Sequence, residues 1–98
     1  MKQRERTIST VIKRDERIDD GRRYVYELSV SESLNLSSFR IPLYSVSVCM
    51  TDKDGEATSS SVRDAFADAG RAIVFYEKIV TNLATPIDLA YIAEDELR

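Results

Sequence analysis

The chain has 98 residues, of which 14 are Lys or Arg and 17 are Asp or Glu, with one Cys and no His. This length allows one domain with a modest hydrophobic core, and 43% apolar residues with a net charge of −3 exclude general disorder. Because the commonest general base and any disulfide partner are missing, we expect neither an enzyme nor a disulfide-stapled secreted scaffold.

The first predicted element is a hairpin within about the first thirty residues. Residues 7–14 are rich in β-branched side chains, and apolar and polar residues alternate from Tyr24 to Val30, the period of a half-buried strand. Asp19-Asp20-Gly21 between them has the composition of a turn. The alternation predicts a buried face rather than an exposed aromatic platform for nucleic-acid bases. This face comprises Tyr24, Tyr26, Leu28 and Val30.

A serine-rich segment, residues 31–38, indicates a loop before a second hairpin. From Leu43 to Met50 the even positions are apolar and the odd positions are small, which predicts a strand with one buried and one lighter face. Residues 52–55 then predict a tight turn rather than a calcium loop, because Gly55 stands too early and a strand precedes it. The return strand, at about 56–60, is weakly apolar and is expected at the sheet edge.

Two helices are predicted in the C-terminal third. The start of the first is open, because Ser61 with Asp64 resembles a capping box whereas Asp68 could cap a later start. Apolar residues recur at spacings of three and four from Ala72 to Leu83, as in a helix that packs on a sheet. The segment 85–88, Thr-Pro-Ile-Asp, marks the start of the second helix.

The charges are unevenly distributed along the chain. Residues 1–23 carry a net charge of +3 and residues 24–98 a net charge of −6. A basic leading segment can bind phosphate, so nucleic-acid binding is one alternative function, although the acids mixed into the segment favour a solvated edge hairpin. The basic residues concerned are Arg4, Arg6, Arg22 and Arg23.

Three acids near the C-terminus, Glu94, Asp95 and Glu96, fall in the last turn of the second predicted helix. Negative charge there opposes the helix dipole. We therefore hypothesise that basic residues of the first hairpin, or of a second subunit, face these acids. Together with the four arginines named above, they form the predicted interaction patch.

The sequence names no catalytic, cofactor-binding or metal-binding residue, and we expect no cofactor. Cys49 has no His to accept its proton, so we expect a structural thiol, while its reactivity stays open. The N-terminus never becomes a continuous apolar signal region, and no apolar run approaches the length of a membrane span. We expect a cytoplasmic protein without membrane contact.

Several stretches of residues 44–98 resemble a family of short, functionally uncharacterised Firmicutes proteins, a domain of unknown function. They are Tyr44-Ser45-Val46-Ser47-Val48, the segment from Asp64 to Asp68, and Thr85-Pro86-Ile87-Asp88-Leu89 leading to Glu94-Asp95-Glu96-Leu97. The resemblance implies a bacterial source and a fold, and it assigns no site residue.

We predict a single α+β domain over residues 1–98, with about four antiparallel strands in meander order and two C-terminal helices packed on one face. Two helices leave the other sheet face uncovered. The leading functional hypothesis is therefore a non-enzymatic protein-interaction or regulatory module that binds an unknown partner or itself. The alternatives are nucleic-acid binding through the basic hairpin and small-molecule sensing in a cleft between sheet and helices.

Overall fold

The computed structural model describes residues 6–34 and 42–96, with side chains for residues 9–32 and 42–96. In these ranges one antiparallel sheet has the strand order β1-β2-β3-β4, and both helices pack on one of its faces. The predicted α+β meander is confirmed. Its elements are β1 (Arg6–Asp19), β2 (Arg22–Leu34), β3 (Leu43–Thr51), β4 (Ala57–Phe66), α1 (Ala69–Thr81) and α2 (Pro86–Glu96).

The first hairpin is longer than its apolar pattern predicted. β1 continues through charged residues to Asp19 and pairs with β2 along its length, with Ile12 as the extra residue of a bulge. Backbone hydrogen bonds carry such a ladder, so its outer residues need not be apolar. Asp20 and Gly21 connect the strands with φ of 51° and 74°, which confirms the predicted turn. Residues 31–34 were predicted as loop but belong to β2, and residues 35–38 lie outside the described ranges.

Asp52 organises the turn between β3 and β4. Its Oδ1 accepts hydrogen bonds from the N–H groups of Asp54 at 2.9 Å and Glu56 at 3.0 Å. Gly55 has a φ of 87°, a left-handed conformation that glycine adopts without steric cost. The carboxylate is thus engaged with the backbone of a hairpin turn, as predicted.

The boundary between β4 and α1 settles the open start of the first helix. Ser61 and Asp64 lie in β4, so the earlier of the two predicted starts is wrong. Asp68 is the N-cap of α1, and its Oδ1 accepts a hydrogen bond from the N–H of Gly70 at 2.8 Å. Pairing of β4 with β3 extends as far as Phe66 and overrides the local capping signal.

The second helix begins as its sequence predicted. The N–H of Asp88 donates to Thr85 Oγ1 at 3.2 Å, and the N–H of Thr85 donates to Asp88 Oδ2 at 3.1 Å. This reciprocal pair is a capping box, and Pro86 occupies the first helical position, where its missing N–H costs nothing.

The core fills the space between the sheet and the two helices. Tyr24, Tyr26 and Tyr76 are each at most 3% exposed, which confirms that they are core residues rather than a stacking platform. The Tyr26 hydroxyl donates to the carbonyl of Ala84 at 2.8 Å, and burial raises the pKa of Tyr26 to about 12. The other core residues are Leu28, Val46, Val48, Phe66, Ala72, Phe75, Ile79, Ala84, Leu89 and Ala93.

Tyr76 connects α1 to the outer strand β1. Its hydroxyl donates to Asp15 Oδ2 at 2.7 Å and also lies 3.1 Å from the carbonyl oxygen of Tyr26. Burial, and then the hydrogen bond to Asp15, raise the pKa of Tyr76 above its ordinary value. Lys13 Nζ lies 5.8 Å from the centroid of the Tyr76 ring and 3.7 Å from Glu77 Oε2, so a second β1 side chain contacts the same helix.

Candidate functional site

The predicted interaction patch divides between separate contacts. Arg4 lies outside the described residues, as does the side chain of Arg6, while Arg22 is exposed beside the first turn. Arg23 pairs with Glu16 of β1, whereas Glu96 pairs with Lys78 of α1, with a distance of 2.7 Å between Lys78 Nζ and Glu96 Oε1. The basic partner of Glu96 therefore comes from the first helix, and Glu94 and Asp95 are exposed on the same last turn.

Positive charge in the described part of the first hairpin is largely compensated by local acids. Arg14 lies 3.3 Å from Glu16 Oε2 and 3.5 Å from Glu27 Oε2. The pKa of Glu16 lies below its usual value because Arg23 donates a hydrogen bond to the carboxylate and places a positive charge beside it. Arg17 donates to the carbonyl of Val80 at 3.2 Å. A phosphate-binding arm needs accessible, uncompensated cations, so this pairing does not favour nucleic-acid binding.

The sheet face opposite the helices carries mainly small side chains, and we call it the open face. In register, Ser29 pairs with Ser45, and Ser47 pairs with Ser61. Half-buried Cys49 belongs to the same face, which confirms the lighter face predicted for β3. Part of the open face is a shallow groove of about 460 Å³. The groove is lined by Ser9, Ser29, Ser31, Ser45, Ser47, Ser61 and Arg63.

The ends of the open face differ in chemistry. The groove at one end presents hydroxyl groups, which both donate and accept hydrogen bonds. Towards the first turn, the β1 and β2 positions of the same face carry the paired charges Arg14, Glu16, Arg23 and Glu27. Cationic and anionic groups therefore alternate within one small area, which also contains Val25, opposite Glu16, and the 78% exposed Ile18, opposite Arg23.

A second concave site lies on the helical side, between α1, the last turn of α2 and the end of β4. We call it the interhelical cleft, and its volume is about 430 Å³. The rings of Phe66 and Phe75 form its floor, with their centroids 5.1 Å apart and their planes tilted by 45°. Val74 forms an apolar wall and is 67% exposed. The remaining lining residues are Asp68, Gly70, Arg71, Lys78 and Glu96.

Charged groups ring the mouth of the interhelical cleft. The hydrogen bond from Lys78 is the main cause of the lowered pKa of Glu96, and the positive charge of Arg71 acts in the same direction. Arg71 and Lys78 are seven residues apart and so lie on one side of α1. Their spacing shows from the sequence alone that they share one side of α1. The cleft forms only because α2 and β4 lie beside that side of the helix.

Two kinds of site are not found in the described part of the chain. No group of three or more His, Cys, Asp or Glu residues is placed to hold a metal ion there. None of the helices formed by residues 69–81 and 86–96 has the length and hydropathy required to cross a membrane.

Comparison with known proteins adds no family to this description. No family model matches the chain, and neither a curated protein nor a solved structure matches it.

Proposed function

We propose that the protein is a small non-enzymatic interaction module that associates with a second copy of itself through the open face. The observation that supports this proposal is the one-sided covering of the sheet. Both helices pack on the face that carries Tyr26 and Val46, whereas no element in the described ranges covers the opposite face, which presents serine and charged side chains. A four-stranded sheet with one uncovered face is a common arrangement for face-to-face packing.

The size of the open face suits a modest interface. Strands of 14, 13, 9 and 10 residues form the sheet. With a strand spacing of about 4.8 Å and a rise of about 3.3 Å per residue, the face covers roughly 700 Å². Stable interfaces bury about 800 Å² per partner, so a face of this size is at the lower limit for a specific dimer, and we expect the association to be reversible.

The chemistry of the open face favours a copy of itself as the partner. A hydroxyl group donates and accepts, so a surface of serines can pair with the same surface of another chain. The charged end contains Arg14 and Arg23 next to Glu16 and Glu27, and a two-fold axis can place each sign against its opposite. A surface with charges of a single sign would repel its copy.

The test is a steric and electrostatic block at the middle of the open face. Ser47→Arg places a long, positively charged side chain in the open face of both copies. Because these side chains would clash with and repel the facing surface, we expect the Kd of the dimer to rise at least tenfold. Sedimentation of both proteins from 10 μM to 1 mM measures the equilibrium. Ala90→Arg, which adds the same side chain at an exposed position of α2, is the matched control and should dimerise normally.

Cys49 provides an independent reporter of the same interface. Its thiol lies on the open face and is half-buried in one copy, so alkylation should slow as the protein concentration rises through the Kd. Ser47→Arg should abolish this protection. A wild-type chain that remains monomeric at 1 mM, with concentration-independent alkylation, would refute the proposal.

The proposed setting is the reducing cytoplasm of a Firmicutes bacterium. The resemblance of residues 44–98 supports the source, and the single cysteine supports the compartment. In that setting self-association depends on surface contacts alone, so the sedimentation profile should be the same with and without a reductant. A dimer that disappears on reduction would instead indicate a disulfide between copies.

A further inference from the structure

We propose that the interhelical cleft binds a small apolar carboxylate, whose hydrocarbon part lies on Phe66 and Phe75 and whose carboxylate pairs with Arg71. This site lies on the helical side of the molecule and does not depend on self-association through the open face.

The dimensions and floor of the cleft suit a hydrocarbon group. Its volume of about 430 Å³ lies within the range of small-molecule sites, which are typically concave and lined by aromatic and aliphatic side chains. Phe66 and Phe75 are at most 5% exposed, so the core fixes their rings in place and each ring presents only a small edge to the cleft. Val74 is 67% exposed at the mouth, and a bound hydrocarbon would remove part of this apolar surface from water.

The charges at the mouth select a carboxylate rather than a cation. Asp68 already accepts the N–H of Gly70 as the N-cap of α1. Lys78 and Glu96 are bound to one another at 2.7 Å. Within the described ranges, the Arg71 guanidinium forms neither a side-chain hydrogen bond nor an ion pair, and its positive charge contributes to the lowered pKa of Glu96.

Arg71 is well suited to receive the ligand's anionic group. Its planar guanidinium can donate two parallel hydrogen bonds to a carboxylate, a geometry that combines specificity with charge. Arg71 and Phe75 lie one turn apart on the same side of α1. One face of this helix can therefore contact both the carboxylate and the hydrocarbon part of the ligand. A neutral molecule of the same shape would gain only the hydrocarbon contacts.

The experiment compares octanoate with 1-octanol as probes. Both are titrated into the full chain and followed through backbone amide chemical shifts by NMR. For a ligand of this size we expect a Kd on the order of 1 mM for octanoate. The shifts should map to α1, the end of β4 and the last turn of α2, and octanol should bind at least fivefold more weakly.

Arg71→Gln isolates the charge, and Arg63→Gln on the open face is its matched control. We expect Arg71→Gln to weaken octanoate about tenfold and to leave octanol unchanged, because it removes a charged hydrogen-bonding partner alone. Arg63→Gln should change neither. Val74→Glu, a substitution at an exposed position that should not impair folding, places an anion at the mouth and should weaken octanoate further.

Two results would overturn the proposal. One is the absence of localised shifts at 10 mM octanoate, and the other is an equal response of the Arg71 and Arg63 variants. Ser47→Arg should bind octanoate like the wild type, so a failure of self-association is distinguishable from a failure of this site.

Discussion

Tyr76 shows how a single side chain can join three elements of this small domain. Its ring, on α1, is 1% exposed, and its hydroxyl reaches both Asp15 of β1 and the backbone of Tyr26 in β2. The outer strand β1 has few apolar contacts with the helices, so this polar connection, together with the hydrogen bond from Arg17 to Val80, helps to hold it against α1.

Removing the Tyr76 hydroxyl should therefore destabilise the fold without emptying the core. We expect Tyr76→Phe to lower the free energy of unfolding by about 1 to 2 kcal/mol, because a buried hydrogen bond is lost while the ring is retained. Urea unfolding followed by circular dichroism measures the change. Tyr91→Phe, at a position that is 67% exposed, is the control and should stay within about 0.5 kcal/mol of wild type.

At the scale of elements, the boundary between β4 and α1 is where local and long-range signals compete. Residues 61–64 have the pattern of a capping box, but residues 63–65 of β4 lie opposite Ser45 alone, as a bulge in the ladder. Asp64 adopts a φ of 50° within this bulge, and its N–H donates to Ser45 Oγ at 2.8 Å. Pairing with β3 therefore delays the helix by several residues.

Two alanine substitutions should distinguish the true cap from the apparent one. Asp68→Ala removes the acceptor for the N–H of Gly70 and should cost about 1 kcal/mol of stability, the usual value for an N-cap. Ser61→Ala, at an exposed position of β4, should change stability by less than about 0.5 kcal/mol. Chemical denaturation of both variants checks this, and a larger cost for Ser61→Ala would contradict the assigned helix start.

The lengths of the elements were less predictable than their order. Alternation of apolar residues marks only the part of a strand that faces the core, so the charged end of β1 gave no apolar signal, and the return strand predicted at about 56–60 stopped short of Phe66, where β4 ends. Both segments are strands because their backbones pair with a neighbour. Turn and cap residues act locally, which is why Gly55, Thr85 and Pro86 were sufficient to place their turn and helix start.

At the scale of the whole molecule, the sequence predicted which sheet face is buried but not the interhelical cleft. The apolar stripe that places Phe75 in the core follows from helical periodicity alone. The cleft requires the end of α2 and the end of β4 to meet beside Arg71, and their relative positions depend on how the two helices cross the sheet. The same limit applies to Glu96, whose pairing with Lys78 joins two helices that the sequence predicted separately.

The whole domain should lose stability in alkaline solution. An unfolded tyrosine titrates near pH 10, whereas Tyr26 has a pKa of about 12 in the fold, and the pKa of Tyr76 is also raised. The folded state thus favours the neutral hydroxyls. Their contribution is complete below pH 10 and is lost as the pH rises towards 12.

Denaturant unfolding between pH 8 and pH 12 checks this expectation. The free energy of unfolding should begin to fall near pH 10, and the fall should be smaller in the variant that combines Tyr26→Phe with Tyr76→Phe. A constant free energy across this range would contradict it. In acid the sign reverses: the lowered pKa values of Glu16 and Glu96 give contributions that are present above their unfolded values and lost as the pH falls.

The two outer strands of the sheet differ in their resistance to aggregation. β1 presents five consecutive charged residues, 13–17, beside the bulge at Ile12, and both features discourage a foreign strand from pairing. Residues 57–62 of β4 carry no charge, and the left-handed Asp64 ends their regular ladder. Addition of a strand from another chain is therefore expected along this uncharged six-residue stretch of β4 rather than along β1.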